Sequence, residues 1–115
     1  MLKFYGLKTC DTCRKAKAWL KSEGIEFREI DVRSDGISAE NIAHFEQSAD
    51  LMKLLNKAST TWRGLDENKK SEDPENIRRL IVENPTLLKR PVFDFGDKVF
   101  VGFRDAQKAQ LLKMK

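Results

Sequence analysis

Residues 2–32 read LKFYGLKTCDTCRKAKAWLKSEGIEFREIDV, and this stretch predicts a strand, a helix and a second strand. Leu2 to Tyr5 give the first strand, after which a short loop leads to the Cys10-Asp11-Thr12-Cys13 motif. Apolar residues recur at helical spacing from Asp11 to Glu23, and Ile25 to Val32 resume as a strand. The two cysteines are therefore expected at the strand-to-helix turn of a β-α-β unit.

The middle of the chain is predicted to be helical. Ser38 can cap a first helix, a second is expected from about Asp50 to Lys57, and Asp73-Pro74 opens a third. The polar segment from Ser59 to Lys70 is interpreted as a long loop. Together these segments form a helical insert that spans about residues 37–85.

The end of the chain predicts a β-hairpin followed by a helix. Pro91 to Phe95 and Lys98 to Val101 read as strands around a tight turn at Gly96-Asp97. A closing helix is expected from Asp105 to Lys113, with three residues facing inward: Ala106, Ala109 and Leu112. Because no linker or repeat divides the sequence, we predict a single α/β domain over residues 1–115, in the order β-α-β, helical insert, β-β-α.

The composition is that of a globular protein, with 40% hydrophobic and 35% charged residues. No apolar run approaches the ~18 residues that span a bilayer, and the N-terminus lacks a signal-peptide pattern, so we expect a cytoplasmic protein that binds no membrane. The net charge is +4, but the basic residues are scattered among acidic ones. This pattern favours an anionic small substrate and predicts no direct nucleic-acid binding.

The chain has two cysteines and one histidine, His44, which limits what the cysteines can do. A closed zinc site needs four ligands, so no metal site is expected. A structural disulfide framework would use more cysteines at wider spacings. A reactive dithiol or two unrelated buried thiols remain, and the close spacing of the cysteines favours the reactive dithiol.

The expected position of the motif at a helix start assigns different roles to the two cysteines. The unpaired N–H groups there stabilise a thiolate, so Cys10 is the predicted nucleophile. Arg14 in the first turn adds a positive charge, which Asp11 opposes. Cys13, one turn inside the helix, is placed to resolve a mixed disulfide, or it is simply a small buried residue.

A second candidate element is Lys89-Arg90-Pro91, at the start of the hairpin. A Cys-x-x-Cys motif beside a β-α-β unit is typical of thioredoxin-like proteins, in which a proline at this point is often cis and faces the cysteine loop. Arg90 would then bring its guanidinium toward Cys10 and bind an oxyanion or a carboxylate. The alternative is an exposed arginine before an edge-strand proline.

Several segments together resemble the ArsC family, the group that includes arsenate reductase, YffB and Spx proteins. The resemblance covers essentially the whole chain and rests on these segments: Phe4–Thr12, Cys10-x-x-Cys13-Arg14, Leu54–Lys57, Thr60–Arg63, Leu87–Pro91 and Val101–Phe103. It implies a thioredoxin-like fold, with a mixed four-stranded sheet and an inserted helical subdomain. The short chain is most similar to the YffB branch of glutathione-dependent thiol reductases.

The resemblance implies an enzyme, a thiol–disulfide reductase with Cys10 as nucleophile and Cys13 as its partner. The residues expected to bind an anion or the substrate are Arg90, Arg14 and Pro91. Glutathione is the expected co-substrate, glutaredoxin is a further candidate partner, and the substrate is anionic or a disulfide. No tightly bound cofactor is expected.

Two other functions remain open within the resemblance. Glutaredoxin-linked arsenate reductases use one cysteine and a set of arginines, of which one matches Arg90, while Asn56 and Gly102 occupy the other two positions. Charge-assisted contacts contribute ~1.5–3 kcal/mol each, so weak arsenate binding is expected. The Spx branch contains transcription regulators that bind RNA polymerase and use a Cys-x-x-Cys pair as a redox switch, but the glycine of its polymerase contact is absent near Ala49-Asp50.

Overall fold

The computed structural model describes residues 1–115 and divides into two compact units. The sheet unit contains Met1–Asp31 and Arg90–Lys115, and the helical unit contains Val32–Lys89. None of the helices is both long and apolar enough to cross a membrane. The organisation of the chain as a single domain stays a prediction.

Four strands and six α-helices make up the regular structure, joined by two short 3₁₀ turns. In chain order they are β1 (Leu2–Gly6), α1 (Asp11–Ser22), β2 (Phe27–Asp31), α2 (Ala39–Glu46), α3 (Leu51–Leu54), α4 (Thr60–Arg63), α5 (Pro74–Glu83), β3 (Val92–Asp94), β4 (Val99–Val101) and α6 (Asp105–Lys113). The 3₁₀ turns are Glu67–Lys69 and Pro85–Leu87.

The four strands form one mixed sheet in the order β2-β1-β3-β4. Strand β1 runs parallel to β2 and antiparallel to β3, and β3 pairs antiparallel with β4. The parallel pair is joined through α1, which is the crossover that parallel strands require. The predicted mixed four-stranded sheet is therefore confirmed.

One face of the sheet carries the core of the sheet unit, and both α1 and α6 pack on it. The buried members of this core are Leu2, Phe4, Cys13, Ala16, Leu20, Phe93 and Leu111. Fully burying a large apolar side chain contributes roughly 1.5–3 kcal/mol, so this layer fixes α1 firmly on the sheet. Cys13 is a fully buried part of that layer, whereas Cys10 lies at its margin.

The predicted hairpin turn is present between β3 and β4. Gly96 has a φ of 95°, which favours glycine, and the N–H of Phe95 donates to the carbonyl of Lys98 at 2.9 Å. The side chain of Asp94 accepts a hydrogen bond from the N–H of Gly96 at 2.8 Å. This buried carboxylate therefore stabilises the turn from within its own hairpin.

The closing helix has the predicted bounds, but its predicted inner face was wrong. Leu111 is fully buried, whereas Leu112 is 45% exposed. Ala106 and Ala109 are exposed as well. Two small alanines give little burial energy, so the larger Leu111 determines which face of α6 packs on the sheet.

The helical unit corrects two predicted boundaries. The second helix ends at Leu54 instead of Lys57, because Leu55 turns extended and forms a β-bridge with Leu88. The segment predicted as a long loop, Ser59 to Lys70, contains α4 and a 3₁₀ turn. The signal for α4 is its cap, since the hydroxyl of Ser59 accepts from the N–H of Trp62 at 3.1 Å.

Candidate functional site at the start of helix α1

Cys10 is the N-cap residue of α1. Its backbone is extended, and its sulfur accepts a hydrogen bond from the N–H of Cys13 at 3.4 Å. The first N–H groups of a helix lack partners inside the helix, and an N-cap side chain normally satisfies one of them with an oxygen. In this chain the acceptor is a half-buried thiol.

The loop that delivers Cys10 is held by two further hydrogen bonds. The N–H of Cys10 donates to the carbonyl of Leu7 at 3.2 Å, which closes a tight turn. The N–H of Lys8 donates to the carboxylate of Asp31 at 3.1 Å. The position of the thiol therefore depends on the end of β2 as well as on its own loop.

The surroundings shift the pKa values of the two cysteines in opposite directions. Burial opposes ionisation of Cys10, but hydrogen bonds from the side chain and backbone of Cys13, together with the charge and a hydrogen bond of Arg90, lower the pKa of Cys10 below its ordinary value. Burial raises the pKa of Cys13 to about 12, helped by the hydrogen bond to Cys10 and the charge on its sulfur. Of the two thiols, Cys10 is therefore the more readily ionised.

Arg90 lies at the Cys10 sulfur, and Pro91 follows it just before β3. The Arg90–Pro91 peptide bond is cis, Arg90 is half-buried and Pro91 is buried. The carbonyl of Pro91 accepts from the N–H of Gly102 at 2.8 Å, which ties the segment before β3 to the segment after β4. This places one guanidinium at the thiol, where it contributes to lowering the Cys10 pKa.

Arg14 occupies a different environment from Arg90. Its guanidinium pairs with the carboxylate of Asp11, and the two side chains are 61% and 77% exposed. The two opposing charges that the sequence places near Cys10 therefore pair with each other. The arginine that contributes most to lowering the pKa of Cys10 is Arg90.

Gly102 and Asn56 occupy the two positions at which the family resemblance expects arginines, and the structure gives a local reason for each residue. Gly102 has a φ of 93°, a conformation in which any L side chain is strained. Asn56 lies in the helical unit, where its side-chain oxygen accepts from the N–H of Ala58 at 3.1 Å. Both positions thus serve local backbone geometry.

Two residues of the site were missed by the sequence analysis. A Cβ added at Gly6 would come within 2.8 Å of the Phe4 ring and 3.0 Å of the Cys13 sulfur, so only glycine fits there. Asp31 was missed as well, since its partner Lys8 is distant in sequence. Gly6 and Asp31 could have been identified as a glycine and an acidic residue that end two neighbouring strands.

The arrangement suits thiol chemistry and offers no metal site. No group of three or more His, Cys, Asp or Glu side chains is placed to hold a metal ion. His44, the single histidine, lies half-buried on α2 in contact with the Phe45 ring. The site presents one thiol with a lowered pKa, a buried thiol one helical turn away, and a guanidinium.

Known proteins with similar sequences extend over nearly the whole chain. The model of the ArsC family matches residues 5–111. A protein from Haemophilus influenzae is 40% identical over 108 residues, which are 93% of this chain and 95% of its own. The global transcriptional regulator Spx of Bacillus subtilis is 29% identical over 119 residues, which span 100% of this chain and 89% of its own.

Two solved structures with similar sequences have the same fold as this chain. A structure of the YffB protein superposes with a TM-score of 0.89 at 32% identity, covering 96% of this chain and 97% of its own. An arsenate reductase (ArsC) related protein from Brucella melitensis has a TM-score of 0.75 at 37% identity, covering 97% of this chain and 94% of its own. The fold predicted from the sequence is confirmed.

Proposed function

The chain belongs to the ArsC family, and we propose that it is a thiol–disulfide reductase in which Cys10 is the nucleophile and glutathione the reductant. The observation that carries this proposal is the position of Cys10 at the helix N-cap. There hydrogen bonds from the thiol and the N–H of Cys13, together with the guanidinium of Arg90, lower its pKa against the effect of burial. A thiol with these partners is a thiolate over a wider pH range than a free cysteine.

The first proposed step is attack on a substrate disulfide. The Cys10 thiolate forms a bond to one sulfur of the substrate, and the electron pair of the broken S–S bond leaves on the other sulfur, which takes up a proton. The charge of Arg90 also suits a substrate that carries a carboxylate beside its disulfide, as glutathione does. Arg14 is a secondary anion-binding candidate, because its ion pair with Asp11 must open first.

The second proposed step uses the buried thiol. Cys13 loses its proton and attacks the sulfur of Cys10, which forms a Cys10–Cys13 disulfide and releases the second substrate thiol. Two glutathione molecules then reduce this disulfide, giving oxidised glutathione and two protein thiols. Burial raises the pKa of Cys13, so its thiol must give up its proton as it attacks.

The experiment compares Cys10→Ser with Cys13→Ser in glutathione-dependent reduction of a small disulfide. Cys10→Ser should reduce turnover to the uncatalysed background, since no nucleophile remains. Cys13→Ser should still form the mixed disulfide at Cys10, which intact-protein mass spectrometry detects. Unchanged turnover in folded Cys10→Ser would refute the proposal.

A second candidate function is a redox-switched regulator, and the similarity to the Spx protein favours it. The same dithiol would then act as a sensor whose oxidation changes the binding of RNA polymerase. A pull-down of RNA polymerase with reduced and with oxidised protein separates the two functions. Binding that depends on the Cys10–Cys13 disulfide, without disulfide turnover, would favour the regulator.

Reduction of arsenate is the remaining alternative, and the relative described as arsenate reductase related favours it. Arg90 would hold the oxyanion beside Cys10. The glycine conformation at position 102 and the local hydrogen bond of Asn56 leave fewer cations for this task. Absence of arsenate turnover with glutathione and glutaredoxin supplied would exclude this activity.

A further inference from the structure

Asp31 is a buried carboxylate that the proposed chemistry does not use. It is the last residue of β2 and only 9% exposed, and the strand register places it beside Gly6, the last residue of β1. Because β1 and β2 are parallel, both residues lie at the sheet edge from which the cysteine loop departs. A carboxylate buried at this edge needs a hydrogen-bonding partner.

One hydrogen-bonding partner of Asp31 lies inside the cysteine loop. Its carboxylate accepts from the N–H of Lys8 at 3.1 Å, which joins β2 to the loop across 23 residues of sequence. The loop then turns through the hydrogen bond between Leu7 and Cys10 before Cys10 caps α1. Asp31 therefore holds the segment that sets where the Cys10 sulfur meets the helix N–H groups.

The main causes of the pKa shift of Cys10 are burial, Cys13 and Arg90. Asp31 instead contacts the cysteine loop through the N–H of Lys8, so the observed link from Asp31 to Cys10 runs through the geometry of the loop. Hydrogen bonds to charged groups are about twice as strong as neutral ones, which explains a carboxylate at this position.

We infer that Asp31 is a positioning residue, which stabilises the Cys10 thiolate by fixing the Lys8 backbone so that the Cys10 sulfur stays in its N-cap position. The inference rests on the proposed role of Cys10 as nucleophile, and it identifies Asp31 as a residue that affects how readily Cys10 ionises. Titration of the thiolate tests it without any substrate, so a failed reductase assay leaves the test intact.

The experiment measures the pH midpoint of Cys10 ionisation by thiolate absorbance and by the rate of alkylation with iodoacetamide. Asp31→Ala should raise the pH midpoint of Cys10 ionisation by about one unit. At pH values well below the midpoint, this leaves about tenfold less thiolate, but each thiolate is more nucleophilic. The alkylation rate there should therefore fall about threefold. Asp31→Asn keeps an oxygen acceptor of the same shape and should restore most of the wild-type midpoint.

Asp94→Ala is the matched control, since Asp94 is also buried in the sheet and also accepts from a loop N–H. It should leave the midpoint unchanged. An Asp31→Ala midpoint equal to that of Asp94→Ala, in folded protein, would overturn the inference. If Asp31→Ala does not fold, hydrogen exchange of the Lys8 amide is measured in the wild-type protein. Exchange slower than that of an unstructured peptide supports the inference, and exchange as fast as in such a peptide contradicts it.

Discussion

Cys10 and Cys13 are the same residue type one helical turn apart, yet their environments differ in almost every respect. Cys10 lies at the helix N-cap, half-buried, with the Cys13 N–H and Arg90 as partners. Cys13 is fully buried in the layer between α1 and the sheet, and its pKa is raised to about 12. The difference shows that two cysteines of one motif have pKa values shifted in opposite directions, because one caps the helix and the other is buried beneath it.

The largest effect expected from this difference is selective alkylation. At pH 7 a pKa of about 12 leaves Cys13 only about 10⁻⁵ ionised, so iodoacetamide should label Cys10 at least about a hundredfold faster. As the pH is raised, the alkylation rate of Cys10 should reach half its maximum at a pH below the ordinary pKa of cysteine. Peptide mapping by mass spectrometry measures both rates, and the urea-unfolded protein serves as the control, in which the rates should converge. Equal labelling in the folded protein would contradict the comparison.

The next effect concerns the space around Cys13. Gly6→Ala places a Cβ within 3.0 Å of the Cys13 sulfur and 2.8 Å of the Phe4 ring, which should destabilise the fold by about 1–3 kcal/mol. Urea unfolding measures this cost. In a Cys13→Ala background the cost should fall, because one of the two clashes is removed.

Gly36→Ala is the control for the glycine experiment. Its φ of 77° makes alanine strained there, but no heavy atom beyond its own chain neighbours lies within 4 Å of the added Cβ. Its cost should therefore be the same with Cys13 or with Ala at position 13. Additive behaviour of Gly6→Ala and Cys13→Ala would show that Gly6 does not limit the packing of Cys13.

The smallest expected effect separates the two arginines. Arg90→Gln removes a charge and a hydrogen bond from Cys10, so its pKa should rise and its alkylation at pH 7 should slow about threefold. Arg14→Gln should change the rate by less than about twofold, because Arg14 is exposed and paired with Asp11.

The control for both arginine variants is Arg79→Gln, an exposed arginine of α5 that pairs with Glu83. The pH dependence of the alkylation rate gives the Cys10 pKa in each variant. A shift in Arg14→Gln as large as that in Arg90→Gln would place both guanidinium groups at the thiol and remove the distinction between them.

The parts of the fold that the sequence predicts well are those with local signals. The period of α1 and the turn residues at Gly96-Asp97 are contained in short segments, and the structure agrees with both. The prediction that Arg90 and Pro91 face Cys10 depends on an expectation about thioredoxin-like sheets, and the structure links Arg90 to the Cys10 sulfur. The pKa direction of Cys10 followed from its position at a helix N-terminus.

The features that escaped prediction depend on contacts between distant segments. Asp31 meets Lys8 only because β1 and β2 pair in parallel, and Leu55 leaves its helix because Leu88 offers a backbone partner. The inner face of α6 was wrong because Ala109 and Leu112 fit helical spacing as well as Leu111 does. The spacing of apolar residues along the sequence does not reveal these contacts, because the packing energy between distant segments determines which of them form.

The sulfur of Cys10 both caps α1 and is proposed to react, which sets a trade-off between stability and activity at a single atom. Serine and aspartate are the preferred N-cap residues, and capping contributes about 0.5–2 kcal/mol relative to alanine. A cysteine here forgoes the stronger oxygen cap in exchange for a nucleophile. Directed evolution for heat resistance alone should therefore tend to replace Cys10 by serine, whereas selection for the proposed activity should retain the cysteine.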